Sequence, residues 1–83
     1  MRLEPETIDI RDVYVPTKRR KSLEAEKVEK LAEDILENGQ VQPILVRWDG
    51  KRFVLIEGLH RLEACRSLGE QTIAGLRVQA RIR

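Results

Sequence analysis

The sequence has few of the features that define several protein classes. Cys65 is the only cysteine among 83 residues, so the chain can form neither an internal disulfide nor a cysteine-rich zinc site. Aromatic residues make up 4% of the chain, and the few glycines and prolines are scattered. The longest uncharged apolar stretch, Gln40–Val46, is far shorter than the roughly 20 residues that span a bilayer. An acidic N-terminal segment leaves no apolar stretch for a signal peptide. These absences argue against a disulfide-stapled, fibrous or membrane protein, and we expect a cytoplasmic one.

The composition is that of one small globular domain, which we expect to span residues 1–83. Hydrophobic residues make up 41% of the chain, and 16 basic against 14 acidic residues give a net charge of +2. The charges are unevenly placed, with a basic run at Lys18–Lys21 and an acidic segment at Glu24–Glu37. Such a run suits either a solvated loop or contact with a polyanion.

Two helices are predicted from apolar residues at helical spacing. The first has Ser22 as its predicted N-cap and ends at Asn38-Gly39. Its apolar positions are Ala25, Val28, Leu31, Ala32, Ile35 and Leu36. In the second helix Leu59, Leu62, Cys65 and Leu68 recur every three residues, and Gly69 ends it. We expect Cys65 to be buried in this stripe.

Strands are predicted on either side of these helices. Thr7–Val15 shows the alternation of a half-buried strand, Pro16 ends it, and Thr17–Ser22 follows as a loop. Pro43–Trp48 and Lys51–Ile56 are joined by Asp49-Gly50, the preferred pair for a two-residue type I′ turn.

Thr72–Arg83 is predicted to end the chain as a strand in which Leu76 and Val78 alternate with polar residues. Trp48 and Phe53 are assigned to the core. The order strand–helix–hairpin–helix–strand predicts an α+β domain with a small mixed sheet.

A candidate anion site lies where a predicted strand runs directly into the second helix, at Ile56–Arg61. The first turn of a helix has N–H groups without intrahelical partners and a partial positive charge. Gly58 has no Cβ and would allow close approach to the backbone, while His60 and Arg61 add donors. These features suit a phosphate group. An ordinary tight turn followed by surface side chains fits the same spacing.

One segment resembles the Gly-x-x-Arg phosphate-binding box of the superfamily that contains the ParB N-terminal domain and sulfiredoxin. It is Glu57-Gly58-Leu59-His60-Arg61-Leu62-Glu63-Ala64. The stretch that precedes the box in ParB-like domains is similar to Leu31–Ile35 and Asn38–Val46 of this chain. The last strand of sulfiredoxins resembles Gln71–Ala74. The resemblance covers nearly the whole chain and implies a ParB/sulfiredoxin-like fold.

This resemblance implies a site for ATP or ADP, with CTP as a further possibility, whose phosphates lie at Gly58, Leu59, His60 and Arg61. Lys27 falls at the position of a nucleotide-contacting lysine in sulfiredoxins. Lys18, Arg19 and Arg20 fall where relatives place positive charge over the phosphates. Lys27 could instead pair with Glu24 on the helix surface.

Differences between this sequence and the family patterns indicate which activities of the superfamily we expect here. Sulfiredoxins need a cysteine between the Gly and the His of the box, where this chain has Leu59, so sulfinic acid reduction is not expected. Full partition proteins also carry a helix-turn-helix domain and a dimerisation domain, for which these 83 residues leave no room.

The acid before the glycine resembles ADP-dependent kinase relatives of the superfamily. It makes Glu57 and His60 the candidate catalytic residues, and Glu33, Asp34 and Glu57 the candidate ligands of Mg²⁺. Each acid also fits a solvated surface position.

Our leading hypothesis is a nucleotide-binding domain with slow ATPase or phosphotransferase activity. A DNA-binding or nuclease module is the first alternative, with Arg77, Arg81, Arg83 and the Lys18–Lys21 run on phosphates. A regulatory domain that binds without turnover is the second. The sequence leaves the oligomeric state open.

Overall fold

The computed structural model describes residues 4–39 and 42–78. In chain order the elements are β1 (Glu6–Asp9), a 3₁₀ turn (Ile10–Asp12), β2 (Val13–Tyr14), α1 (Thr17–Arg20), α2 (Ala25–Asn38), β3 (Ile44–Trp48), β4 (Phe53–Glu57), α3 (Leu59–Ser67) and β5 (Thr72–Arg77). The five strands form one sheet in the order β1-β5-β3-β4-β2. The β1–β5 and β3–β4 pairs are antiparallel, and β3–β5 and β2–β4 are parallel. This confirms the predicted α+β class with a mixed sheet.

The N-terminal strand is divided, so the prediction of one strand over Thr7–Val15 is wrong. A carboxylate oxygen of Asp9 accepts the Arg11 backbone N–H at 2.9 Å and caps the 3₁₀ turn. Because short acidic side chains favour such local bonds, the chain turns at Asp9 instead of staying extended. β1 and β2 therefore lie at opposite edges of the sheet.

The segment before the long helix is also more ordered than predicted. Thr17–Arg20 forms the short helix α1 in place of a loop. Ser22 does not cap α2, since its hydroxyl donates to the Arg19 carbonyl at 2.7 Å and Glu24 occupies the N-cap position. The body of α2 and its end at Gly39, which has a left-handed φ of 69°, are confirmed.

The β3–β4 hairpin is confirmed, but its predicted two-residue turn is wrong. Four residues, 49–52, separate the strands. One Asp49 carboxylate oxygen accepts the N–H groups of Lys51 and Arg52 at 2.9 and 3.0 Å. This side chain thus organises a longer turn that Asp-Gly alone does not require.

The second predicted helix is confirmed as α3, and the last strand begins at Thr72 as predicted. Strand β5 ends at Arg77, so Val78 is not part of it as predicted, and residues 79–83 of the predicted strand lie outside the described residues. Ile73 and Gly75 are the buried positions of β5, whereas Leu76 is half-buried. The apolar alternation predicted from Leu76 and Val78 therefore marks the less buried face.

The core lies between the sheet and α3. It joins strand residues to three positions of α3, one of which is Cys65, buried as predicted. Helix α2 has no fully buried residue, and Leu36 in its apolar stripe is 72% exposed. Phe53 packs against the core, but Trp48 is 45% exposed, so its assignment to the core is wrong. None of the described helices combines the length and apolarity needed to cross a bilayer.

Candidate functional site

The first turn of α3 is built on a glycine that no other residue can replace without strain. Gly58 is the N-cap and has φ 111° and ψ 27°, in the left-handed region. A Cβ at this position would stand 2.7 Å from Cγ2 of Ile44 in β3. The strand β4 therefore turns into the helix against the neighbouring strand, and the first amides of α3 are left without intrahelical acceptors.

His60 connects this turn to the start of α2. Its Nε2 accepts the backbone N–H of Glu24, the N-cap residue of α2, at 3.0 Å. A nitrogen that accepts carries no proton, so the neutral ring holds its proton on Nδ1. His60 thus keeps one donor available while it fixes the position of α2 relative to α3.

Arg61 connects the same turn to the segment that enters β3. Its Nη1 donates to the Pro43 carbonyl at 3.2 Å and its Nη2 to Oε1 of Gln42 at 3.3 Å. A guanidinium has five N–H donors, so these two bonds leave others for a ligand. Arg61 therefore also holds the segment before β3 in place.

A shallow cavity of about 380 Å³ opens beside His60. It is lined by Lys27, Lys30, Leu31, Asp34 and His60. The structure therefore brings together three of the predicted residues, from α2 and from the box. Lys27 also makes the surface pair considered for it, with its Nζ 3.4 Å from Glu24 Oε2.

Lys30 was not predicted as a site residue. Its signal in the sequence was its position three residues after Lys27, which places both ammonium groups on one face of α2.

The basic run lies apart from this cavity. Arg20 lines a separate cavity of about 460 Å³ with Leu23, Leu59 and Arg66, among others. Lys18 is exposed and Arg19 is half-buried. Leu59 is only 6% exposed and belongs to the core, so it can meet a ligand only through its backbone amide.

The carboxylates predicted to bind Mg²⁺ are dispersed. Glu57 and Glu33 are exposed, and Asp34 accepts the Asn38 side-chain amide at 2.6 Å. Within residues 4–39 and 42–78, no group of three or more His, Cys, Asp or Glu side chains could hold a metal ion. These residues do not fit a protein-built Mg²⁺ centre.

The single thiol is not placed for chemistry at the box. Cys65 is 2% exposed, and burial, followed by the nearby charge of Glu70, raises the pKa of its thiol. A buried neutral thiol is a poor nucleophile. That the chain does not reduce sulfinic acids, as expected from Leu59 at the position of the sulfiredoxin cysteine, stays a prediction.

Comparison with known proteins agrees with this architecture. The family model described as the ParB N-terminal domain matches residues 3–83. A probable chromosome-partitioning protein ParB of Campylobacter jejuni is 40% identical over 58 residues, which are 70% of this chain and 21% of the relative. The chain thus spans about a fifth of the length of this curated relative.

Solved structures show the same fold. Sulfiredoxin from Arabidopsis thaliana superposes with a TM-score of 0.81 at 26% identity, covering 93% of this chain and 86% of that one. A truncated ParB from Caulobacter crescentus, complexed with CTP-gamma-S, gives 0.74 at 24% identity over 96% and 46% of the two chains. A free serine kinase in complex with AMP gives 0.79 at 15% identity over 94% and 32%. Since the family model spans nearly the whole sequence, the chain belongs to the ParB N-terminal domain family.

Proposed function

We propose that this chain is a nucleotide-binding domain that holds the phosphates of ATP or ADP between the first turn of α3 and one face of α2. The observation that carries the proposal is the cavity in which Lys27 and Lys30 of α2 face His60 of the box. Nucleotide phosphates carry several negative charges, which two ammonium groups and the positive end of a helix would neutralise together.

Each group of the site has a definite part in this proposal. The amides of the first α3 turn and Nδ1–H of His60 donate to the phosphate oxygens. Lys30 and Lys27 supply charge from the opposite wall, Lys27 by exchanging Glu24 for the ligand. Arg61 keeps the loop before β3 in position through two bonds and offers its remaining N–H groups.

The ligand class is supported from two directions. The ParB neighbour was solved with CTP-gamma-S and the kinase neighbour with AMP. Glu57 before Gly58 resembles the kinase version of the box, which favours an adenine nucleotide over CTP.

We extend the proposal to slow phosphoryl transfer, in which Glu57 orients an attacking water or hydroxyl. Such transfer depends mainly on positioning and charge neutralisation. Glu57 is the last residue of β4, adjacent to Gly58, and its side chain is exposed. The carboxylate is therefore accessible next to the proposed phosphate position. Any Mg²⁺ would arrive bound to the phosphates, since the described residues hold no metal cluster.

Calorimetric titration of the chain with ATP, ADP and CTP tests the binding proposal. Lys30→Gln should weaken nucleotide binding about tenfold, the value of one charge-assisted hydrogen bond. Arg66→Gln is the control, because it removes one positive charge from the C-terminal end of α3, away from the proposed nucleotide site, and should leave the affinity unchanged. Absence of binding by the unmodified chain, or equal losses in both variants, would contradict the proposal.

Release of inorganic phosphate from ATP tests the extension to turnover. Glu57→Gln should lower the rate at least about tenfold while calorimetry finds ATP bound as before. Binding without phosphate release by the unmodified chain would identify a non-catalytic regulatory domain.

A further inference from the structure

All three aromatic residues of the sequence gather at one end of the sheet. Tyr14 pairs with Val54, and Trp48 pairs with Phe53, so each lies beside the β3–β4 turn. Two arginines lie over these rings. The guanidinium of Arg52 lies 3.8 Å from the Tyr14 ring centre, and that of Arg77 lies 5.0 Å from the Phe53 ring centre. We call these five residues, Tyr14, Trp48, Phe53, Arg52 and Arg77, the hairpin end.

Trp48 is the accessible ring of this group. Its centroid lies 5.0 Å from that of Phe53 in an edge-to-face arrangement, and Arg77 lies 6.0 Å from it. The residue is nevertheless 45% exposed. Phe53 and Arg77 thus lie beside the indole and leave part of it open to a planar ligand.

The charge around the hairpin end is predominantly positive. Arg77 is held by Glu6 through bonds of 2.9 and 3.1 Å, and Arg52 is held by Asp49 at 3.6 Å. Arg47 and Lys51 add two further cations, and neither forms an ion pair within residues 4–39 and 42–78. Arg77 and Arg52 are thus neutralised by their own acids, whereas Arg47 and Lys51 are available to an external anion.

We propose that the hairpin end binds single-stranded nucleic acid. A base stacks on Trp48, and the adjoining phosphate lies against Lys51 in the turn. Arg47, which pairs with Val54 on the other face of the sheet, adds positive charge to the same end. Exposed aromatic rings surrounded by cations are the combination that unpaired nucleotides require. A duplex keeps its bases stacked internally and would meet only the cations.

This surface is separate from the proposed nucleotide site. β4 begins at Phe53 in the hairpin end and finishes at Glu57 beside the box, so about 13 Å of strand lies between them. The inference therefore goes beyond the proposed function and does not depend on it.

Trp48 is the only tryptophan of the chain, so its fluorescence reports on this surface alone. Titration with a 20-nucleotide oligothymidylate in low salt should quench this emission. With a fluorescein-labelled oligonucleotide, anisotropy should find at least about fivefold weaker binding for Trp48→Leu, the lower limit for loss of one stacked base. Trp48→Phe keeps an aromatic ring and should retain most of the affinity. A 20-base-pair duplex should bind more weakly than the single strand.

Charge variants complete the test. Lys51→Gln should weaken binding and lower the salt dependence by about 0.7 in the logarithmic slope. Arg66→Gln on α3, remote from the hairpin end, should change neither. Circular dichroism checks that each variant is folded. The proposal is overturned if the oligonucleotide leaves Trp48 emission unchanged, if folded Trp48→Leu binds as tightly as the unmodified chain, or if sedimentation shows a second copy covering Trp48 without oligonucleotide binding.

Discussion

Two independent features, the backbone conformation and the lack of space for a side chain, require glycine at position 58. Its φ of 111° is unfavourable for any residue with a side chain, and Ile44 occupies the space where a Cβ would lie. The close contact between the box and β3 therefore depends on the absence of a side chain. The proposed phosphate position is fixed by the packing of the sheet.

Gly58→Ala should destabilise the domain more than Gly50→Ala does. Gly50 has a similar φ of 103°, but a Cβ added there would meet no atom within 4 Å, so its replacement adds only backbone strain of about 1–2 kcal/mol. At Gly58 the contact with Ile44 adds a further ~1 kcal/mol or more. Urea unfolding of both variants measures the difference, and equal free energies of unfolding would contradict this account.

The box residues are evident from the sequence, but the hydrogen bonds that they form are not. The grouping of Gly58, His60 and Arg61 at one helix start follows from their local spacing. The bond from Glu24 to His60 joins residues 36 apart in sequence, and the Arg61 bond to Pro43 joins residues 18 apart. Such contacts depend on how the helices pack and leave no periodic trace. The exposure of Trp48 was missed for a similar reason, since alternation gives the face of a strand but not how much of that face the rest of the chain covers.

At the scale of elements, the β3–β4 turn is held by the charged carboxylate of Asp49. Asp49 accepts two backbone N–H groups in the turn. These bonds, together with the nearby charges of Arg52 and Arg47, lower the pKa of the Asp49 carboxyl. A lowered pKa in the folded state means that the ionised carboxylate favours folding.

Asp49→Ala should therefore lower the Tm near pH 6, and the difference from the unmodified chain should narrow in acid. The stabilisation is complete above the unfolded carboxyl value of 3.8 and is lost as the pH falls through the lower folded value. Asp49→Asn keeps an acceptor without the charge and should lie between the two. Thermal unfolding followed by circular dichroism from pH 6 to pH 2 measures this, and a difference independent of pH would show that the charge is unimportant.

The two long helices were predictable because their apolar spacing and glycine stops are local signals. α2 ends at Gly39 and α3 is followed by Gly69, both with positive φ, as the sequence indicates. The division of the first strand was hidden because the apolar alternation runs from Ile8 in β1 to Ile10 in the 3₁₀ turn, and both residues are buried. The apolar alternation therefore continues past the point where strand pairing ends. The hydrogen bond from the Arg11 N–H to the Asp9 carboxylate marks that point.

On the scale of the whole molecule, the two proposed binding surfaces lie at opposite ends of β4. One is lined by Lys27, Lys30 and His60, and the other is the hairpin end. Each surface draws its geometry from its own neighbouring residues, and the two sets have no member in common. Changes at distant sites without shared partners act additively.

The stabilisation from ATP and that from oligothymidylate should therefore add. ATP at 100 times its Kd should raise the free energy of unfolding by about 2.7 kcal/mol, and the oligonucleotide should add its own increment by the same mass action. Denaturant unfolding with each ligand and with both measures the sum. A combined effect no larger than that of one ligand would mean that both occupy a single site.

The position of the first two strands has a consequence for solubility. β1 and β2 belong to one short segment, Glu6–Tyr14, yet they form the two outer edges of the sheet. Removing that segment would leave β5 and β4 each with an open row of backbone donors and acceptors, the condition under which sheets join edge to edge. With four and two residues, β1 and β2 leave shorter open edges than the six-residue β5 and the five-residue β4 that they cover.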